Sequence, residues 1–190
     1  MSFPFDSFRP SLALVRKTEA NIKRIEWLRG DFISYALNEW RYATHHLCLA
    51  VCDGSNDDML KAEHHLQRAY YDSCDILVDC QLNKLAELEL EFRGYVSSVA
   101  GLVDGFAEKC QCVYEAQRFR RMTVGIGDDK TKAYSRLEEL ADKLDGFIKE
   151  LEATHPYWAD EIRKQKFRDR LPIVLALAGI AVSIVLAVVF

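Results

Sequence analysis

The sequence predicts an all-α protein, an elongated antiparallel bundle of three to four long helices with a carboxy-terminal transmembrane helix. Through most of the 190 residues, apolar side chains recur every three or four positions, which is the spacing of one helix face. Almost no segment alternates between apolar and polar residues as a half-buried strand does, and turn signals are few. The last twenty residues carry no charge, and that length is typical of a membrane-spanning helix.

The first predicted helix runs from about Pro10 to Val51, and a turn around Gly54 ends it. Gly30 lies inside this helix and weakens it by roughly 1 kcal/mol relative to alanine. We therefore expect a bend or a close helix contact at Gly30. The apolar stripe of this helix consists of Ile22, Ile25, Leu28, Phe32, Ala36, Trp40, Ala43 and Leu47.

A second and much longer helix is predicted between that turn and Met122. Ser55, with Asp58 three residues later, resembles a capping box at its start. Without a break the helix would be about 100 Å long, well beyond an ordinary globular helix. The helix is either continuous or kinked in this region, and the candidate kink points are Gly94, Gly101 and Gly105.

The third predicted helix begins after the glycines at 125 and 127, with Asp128 or Asp129 as its cap. Pro156 is expected to end it, because proline removes a backbone donor and clashes with the preceding turn. Pro156 then opens a fourth helix that runs through Phe167 toward the membrane. The stripe of the third helix consists of Leu137, Leu140, Leu144, Phe147 and Leu151.

These helices predict three regions along the chain. Residues 1–154 form a cytosolic helical bundle, in which the first helix packs on the amino-terminal half of the second and the third packs on its carboxy-terminal half. Residues 155–170 form a basic juxtamembrane helix. Residues 171–190 form a transmembrane tail anchor.

The predicted anchor is a single-pass helix of about 30 Å, which is the thickness of the hydrocarbon core. The first residues of the chain lack the basic region and unbroken apolar stretch of a signal peptide, so we expect a carboxy-terminal tail anchor. Basic residues before the span favour a cytosolic amino-terminal domain and attract anionic lipid by about 1 kcal/mol each. These membrane-flanking residues are Arg163, Lys164, Lys166, Arg168 and Arg170.

Two stripes of small residues predict helix association. Gly179, Ser183 and Ala187 recur every four residues within the span, and Gly101 and Gly105 have the same spacing in the second helix. Small residues at this interval let helix backbones approach closely. Aromatic residues in the first two helices also exceed what one core stripe accommodates, and tyrosine and tryptophan are favoured interface anchors. We therefore expect a homo-oligomer.

Histidines and cysteines flank the first turn. If the chain folds back there, His45, His64 and Cys48 become candidate metal ligands, with Glu39 and Glu63 behind them. However, no recognised ligand spacing occurs, and adjacent histidines on a helix point about 100° apart. We therefore expect surface histidines with no metal and no other cofactor. Imidazoles that share a face would alternatively sense pH, since histidine titrates near neutrality.

No pattern in the sequence indicates an enzyme. No nucleophile lies in a glycine-bounded elbow, no phosphate-binding loop is present, and the abundant glutamates are typical of solvated helix faces. The net charge is −4 and basic residues cluster only beside the predicted span, which argues against a nucleic-acid partner. The six cysteines fall on helical segments and are expected to stay reduced in the cytosol.

The sequence therefore predicts a tail-anchored helical adaptor or scaffold. It would self-associate and hold an as yet unknown protein partner at the cytosolic face of a membrane, in contact with membrane lipid. The alternative is a membrane-disrupting effector, for example of a bacterial immunity system. In that interpretation the bundle receives a trigger and the clustered transmembrane helices permeabilise the bilayer.

Overall fold

The computed structural model describes the backbone of residues 5–30, 34–123 and 130–189 and the side-chain environments of residues 11–30, 34–121 and 132–178. In these ranges the chain forms six helices and no strand, so the all-α prediction is confirmed. The helices are α1 Phe5–Arg29, α2 Ser34–Asp53, α3 Asn56–Phe92, α4 Val96–Ala100, α5 Phe106–Thr123 and α6 Lys130–Val189.

The first predicted helix is in fact two helices, α1 and α2. Gly30 adopts a φ of +64°, which is the left-handed conformation that glycine reaches without steric cost. Its amide donates to the carbonyl of Glu26 at 2.8 Å and caps the end of α1. The chain thus reverses here instead of bending. Phe32, which was expected in the apolar stripe, lies outside the described residues.

The second predicted helix is divided into α3, α4 and α5. Its start is as expected, because the Ser55 hydroxyl accepts the Asp58 amide at 3.2 Å. Its continuity ends after α3, where Gly94 has a φ of +86°. Gly101 follows α4, and Gly105 precedes α5 with a φ of +59°. These two glycines therefore belong to the turn between α4 and α5 and do not lie along one helix.

The third and fourth predicted helices are one continuous helix, α6, so the expected break at Pro156 is wrong. Leu151 and Trp158, on the turns of α6 before and after the proline, are both buried in the core. Trp158 is 1% exposed and packs edge-on against Phe92, with ring centroids 5.8 Å apart. Its indole Nε1 also donates to the carbonyl of Leu151 at 3.2 Å. This packing offsets the roughly 3 kcal/mol that an internal proline costs.

Helices that follow one another along the chain run antiparallel, whereas α3 and α6, which form the main core, run parallel. Two more reversals than expected, at Gly30 and between α3 and α5, give α1, α3 and α6 one common direction. Across α1 and α3, Asn21 Nδ2 donates to the Ser73 hydroxyl at 3.1 Å. Ser11 and Glu63 form a hydrogen bond ten residues earlier on both helices, which establishes the parallel register.

The main core lies between α3 and α6. The predicted stripe of the third helix is confirmed, since all five of its residues are buried. Four aromatic rings close this core toward the carboxy-terminal end of α3, with neighbouring centroids 5.8–6.3 Å apart. The rings are Phe92, Phe106, Phe147 and Trp158.

The contact of α2 with α3 is built on alanine. Ala36, Ala43 and Ala50 recur every seven residues on α2 and are at most 2% exposed. On α3, Ala62 and Ala69 are fully buried as well, and Leu66 packs in one cluster with Ala43. Small side chains let the two helices lie close together, and the polar side chains that flank the alanines then reach across the joint.

Candidate functional site

The most unusual surface of the molecule is the part of α6 that leaves the bundle. Ile162 is the last buried residue of this helix, and every residue from Arg163 to Ala178 except Gln165 is exposed. Two contacts tie the start of this segment to the α4 region. The Ser98 hydroxyl lies 3.3 Å from Gln165 Oε1, and Lys166 Nζ lies 5.5 Å from the ring centre of Tyr95.

Beyond the basic residues, the exposed helix becomes apolar on all sides. Its large side chains are 41–62% exposed, although contiguous apolar surface of this kind is rarely left in water. Within the described residues, no helix is both long and apolar enough to qualify as a membrane span. The predicted association stripe of Gly179, Ser183 and Ala187 lies beyond the described side chains. The exposed residues are Leu171, Ile173, Val174, Leu175 and Leu177.

The predicted membrane-flanking residues form an exposed basic collar around α6. In this collar Lys164 is neutralised, because it pairs with Asp160 at 2.8 Å and with Glu161 at 3.0 Å. The pairing raises the pKa of Lys164 and lowers the pKa of Asp160. Within the described residues the other collar residues, Arg163, Lys166, Arg168 and Arg170, have no ion pair. Phe167 lies among them and is 66% exposed.

The histidines at the α2–α3 hairpin do come together, but the two that meet are not the predicted metal candidates. His46 and His65 stack with centroids 5.5 Å apart and planes 5° from parallel. His46 Nδ1 lies 2.9 Å from Asp58, and His65 Nδ1 lies 2.7 Å from Glu39. The hydrogen bonds from His46 and Ser55 hold the pKa of Asp58 below its usual range.

The predicted metal candidates lie on the outside of the same hairpin. His45, His64 and Cys48 are all exposed. Among the described residues, no group of three or more histidine, cysteine, aspartate or glutamate side chains is arranged to hold a metal ion. Of the carboxylates expected behind the site, Glu39 does contact an imidazole, whereas Glu63 bonds Ser11.

A buried polar network joins α1, α3 and α6. Tyr70 donates to Glu138 at 2.9 Å, and Asn21 contacts both Ser73 and the thiol of Cys74. Burial raises the pKa of Cys74 to about 12, so this thiol is protonated at neutral pH. The same desolvation raises the pKa of Tyr70. Protonated buried groups of this kind position helices and are poor nucleophiles.

A cavity of about 350 Å³ opens between α3 and α5, with α6 as its floor. Apolar side chains form its walls, and Glu89 is the one charged residue that lines it. Its size falls within the range of small-molecule sites. The sequence predicted one long helix through this region, whereas the cavity depends on the distance between α3 and α5, two separate helices.

The chain was compared with protein-family models, curated proteins and solved structures. No protein-family model, curated protein or solved structure matches the chain.

Proposed function

We propose that this chain is a tail-anchored helical adaptor that self-associates and holds a protein partner at the cytosolic face of a membrane. The observation that carries the proposal is the continuation of α6 out of the bundle as an exposed apolar helix. The exposed part belongs to the same helix as the buried part, and its side chains up to residue 178 do not pack back on the core.

The free energy of apolar burial supports the anchor. Burying one large aliphatic side chain contributes about 1.5–3 kcal/mol, so five exposed side chains leave roughly 10 kcal/mol unrealised in water. The sequence continues apolar to residue 190, and twenty helical residues match the thickness of the bilayer. The basic collar precedes this stretch, which favours a cytosolic bundle.

Exposed aromatic side chains on α1 and α2 support the adaptor role. Trp27, Tyr35 and Tyr42 are all exposed. Tyrosine and tryptophan anchor many protein interfaces, so these side chains are available to bind a partner. They lie on helices that pack on the amino-terminal part of α3, far along the bundle from the basic collar. A partner or a second copy bound there would be held at a distance from the membrane surface.

The anchor is tested by placing two charges in the exposed helix. The double variant Ile180→Arg, Ile184→Arg should be released from carbonate-washed membranes, while the wild-type chain stays with them. Both positions lie near the middle of residues 171–190, and each arginine costs about 2.5–3.5 kcal/mol at the centre of a span. A matched control, Arg168→Ala with Arg170→Ala, removes charge from the collar and should remain membrane-bound. If the double arginine variant also stays bound, the anchor is not this segment.

Self-association and the choice between adaptor and effector are tested on the span. The full-length chain should be an oligomer by light scattering in mild detergent. Gly179→Leu with Ser183→Leu should weaken the oligomer, because close crossings in lipid contribute only about 1–2 kcal/mol each. If the chain is an adaptor, the variant should still bind its protein partner. Leakage from lipid vesicles that the change abolishes would instead favour the membrane-disrupting effector, and a strict wild-type monomer would defeat both.

A further inference from the structure

The cavity between α3 and α5 is a built feature of the bundle. α5 is fixed to α6 on one side by the ion pairs of Lys109 with Glu150 and of Arg136 with Glu115. These pairs hold α5 over α6, and a space of about 350 Å³ remains between α5 and α3. The edge-on contact of Phe106 with Phe147 also holds α5 on α6, and the cavity lies on the side of α5 that faces α3.

Most of the residues that line the cavity are apolar. On α3 the lining runs from Leu82 to Phe92, which corresponds to roughly 15 Å of helix rise. α5 supplies a matching stripe from Phe106 to Val113, and Leu151 of α6 lies in the floor. A long, narrow and apolar space of this kind fits an unbranched alkyl chain better than a compact polar molecule.

The polar residues of the lining lie on its solvent-exposed side, which we call the mouth. Glu89, Cys110, Tyr114 and Gln117 line the cavity and are all exposed. Within the described residues, Glu89, Tyr114 and Gln117 have no hydrogen bond or ion pair with another side chain. Desolvation and then the charge of Glu89 raise the pKa of the Cys110 thiol, which indicates that the carboxylate and the sulfur lie near each other.

We propose that this cavity binds a single-chain amphiphile with a primary amine head group. The alkyl chain occupies the apolar space between α3, α5 and α6, and the ammonium group donates to the Glu89 carboxylate at the mouth. Tyr114 and Gln117 offer further oxygen atoms that accept hydrogen bonds from the ammonium group. A fatty carboxylate of the same length is disfavoured, because it would place a second negative charge beside Glu89 with no basic residue in the lining.

The experiment uses the cysteines that the chain already has. The full-length protein in nanodiscs of zwitterionic lipid is treated with the neutral reagent N-ethylmaleimide, with and without dodecylamine, and peptide mass spectrometry follows each thiol. Alkylation of Cys110 should slow by about tenfold at saturating amine, because the bound chain covers the lining. Cys48 and Cys52 are exposed on α2, away from the cavity, and should keep their rates within about twofold.

Two comparisons separate this site from partition into the bilayer. Dodecanoate should require about tenfold more ligand for the same protection of Cys110, since a charge-assisted hydrogen bond is lost and a repulsion is gained. Glu89→Gln should remove most of that preference. Equal slowing of all three exposed thiols, or equal protection by dodecylamine and dodecanoate in the wild-type chain, would overturn the proposal.

Blocking variants test the location. Ala86 lines the mouth, and Ala86→Phe should abolish protection of Cys110 by dodecylamine. Ala107→Phe is the matched control, because Ala107 is exposed outside this cavity and protection should persist. The buried thiol of Cys74 reports folding in the same spectra, since unfolding would expose it to maleimide. If Ala86→Phe perturbs the fold, Gln117→Trp replaces it, and full protection in a folded blocking variant would exclude the site.

Discussion

The central helix α3 makes two contacts of opposite character, one with α2 and one with α6. Against α2 the buried residues are mostly alanines, with Leu66 of α3 packed beside Ala43, and the polar pairs of His46 with Asp58 and His65 with Glu39 lie at the edge. Against α6 the buried residues are leucine, isoleucine and aromatic side chains. The same helix is therefore held by close approach on one side and by apolar volume on the other.

This difference predicts where the folding free energy resides. Apolar burial stabilises the folded chain by about 0.8 kcal/mol for each buried carbon atom. A buried alanine therefore contributes far less than a buried leucine. The α2–α3 joint is thus expected to depend on fit and on its polar edge. The α3–α6 joint is expected to depend on apolar burial and to tolerate loss of its edge contacts, such as Lys84 with Glu152 at 3.1 Å.

The largest expected effect is at the α3–α6 joint. Leu144 is fully buried there, and Leu144→Ala should lower the free energy of unfolding by about 2–5 kcal/mol through lost burial and a cavity. Urea denaturation of the full-length chain in mild detergent, followed by tryptophan fluorescence, measures this. Lys143→Ala, on the exposed neighbour, should change it by less than about 0.5 kcal/mol. Equal losses in both variants would contradict a core at this joint.

Enlarging an alanine should be harmful at the α2–α3 joint. Ala43→Leu introduces volume between two closely packed helices and should cost about 1–3 kcal/mol in the same denaturation experiment. Thr44→Leu places the same side chain on the adjacent exposed position, and its effect should stay within about 0.5 kcal/mol. A stabilised Ala43→Leu protein would show that the helices are farther apart than the buried alanines indicate.

Acid should weaken the polar edge of the α2–α3 joint. The pKa of Asp58 is lower in the folded chain than its usual value of about 3.9, because the carboxylate accepts hydrogen bonds from His46 and Ser55. Its contribution is therefore present above about pH 4 and disappears as the pH falls through the lowered value. Asp58→Asn should reduce stability above pH 4, and the difference from wild type should vanish in stronger acid. A difference that grows with acid would contradict this sign.

The smallest expected effect is at the edge of the α3–α6 joint. Lys84 and Glu152 are about one-third exposed, so their coupling should be only about 0.2–1 kcal/mol. A double-mutant cycle of Lys84→Ala and Glu152→Ala measures it, and added salt should reduce it further. A coupling well above this range would remove the contrast between the two joints.

Local rules in the sequence predicted the helical class, the Ser55 cap and the buried stripe of α6, because each depends on neighbouring residues. They did not place the helix ends at Gly30 and Gly94, since a glycine inside a helix and a left-handed glycine after one look alike in sequence. Pro156 indicated a break that the packing of Trp158 overrides. Such outcomes are fixed by contacts between distant segments.

The candidate sites show the same limit. Choosing His46 over its neighbour requires the helix register set by Ala43 and Ala50, which places one imidazole of the pair toward α3. The cavity could not be predicted in the same way, because it arises from the distance between α3 and α5, which the sequence predicted as parts of one helix. The basic collar and the apolar run after it were readable directly, since both are contiguous in the chain.

The uninterrupted path of α6 has a mechanical consequence. Pro156 and Pro172 both lie within the helix, so no loop separates the core from the segment that is proposed to enter the bilayer. From Ile162 to Leu171 the rise is roughly 14 Å, and from Lys130 to Leu171 it is roughly 60 Å. A tilt or rotation imposed on the anchored end would therefore be passed to the bundle along α6, because no flexible linker lies between them.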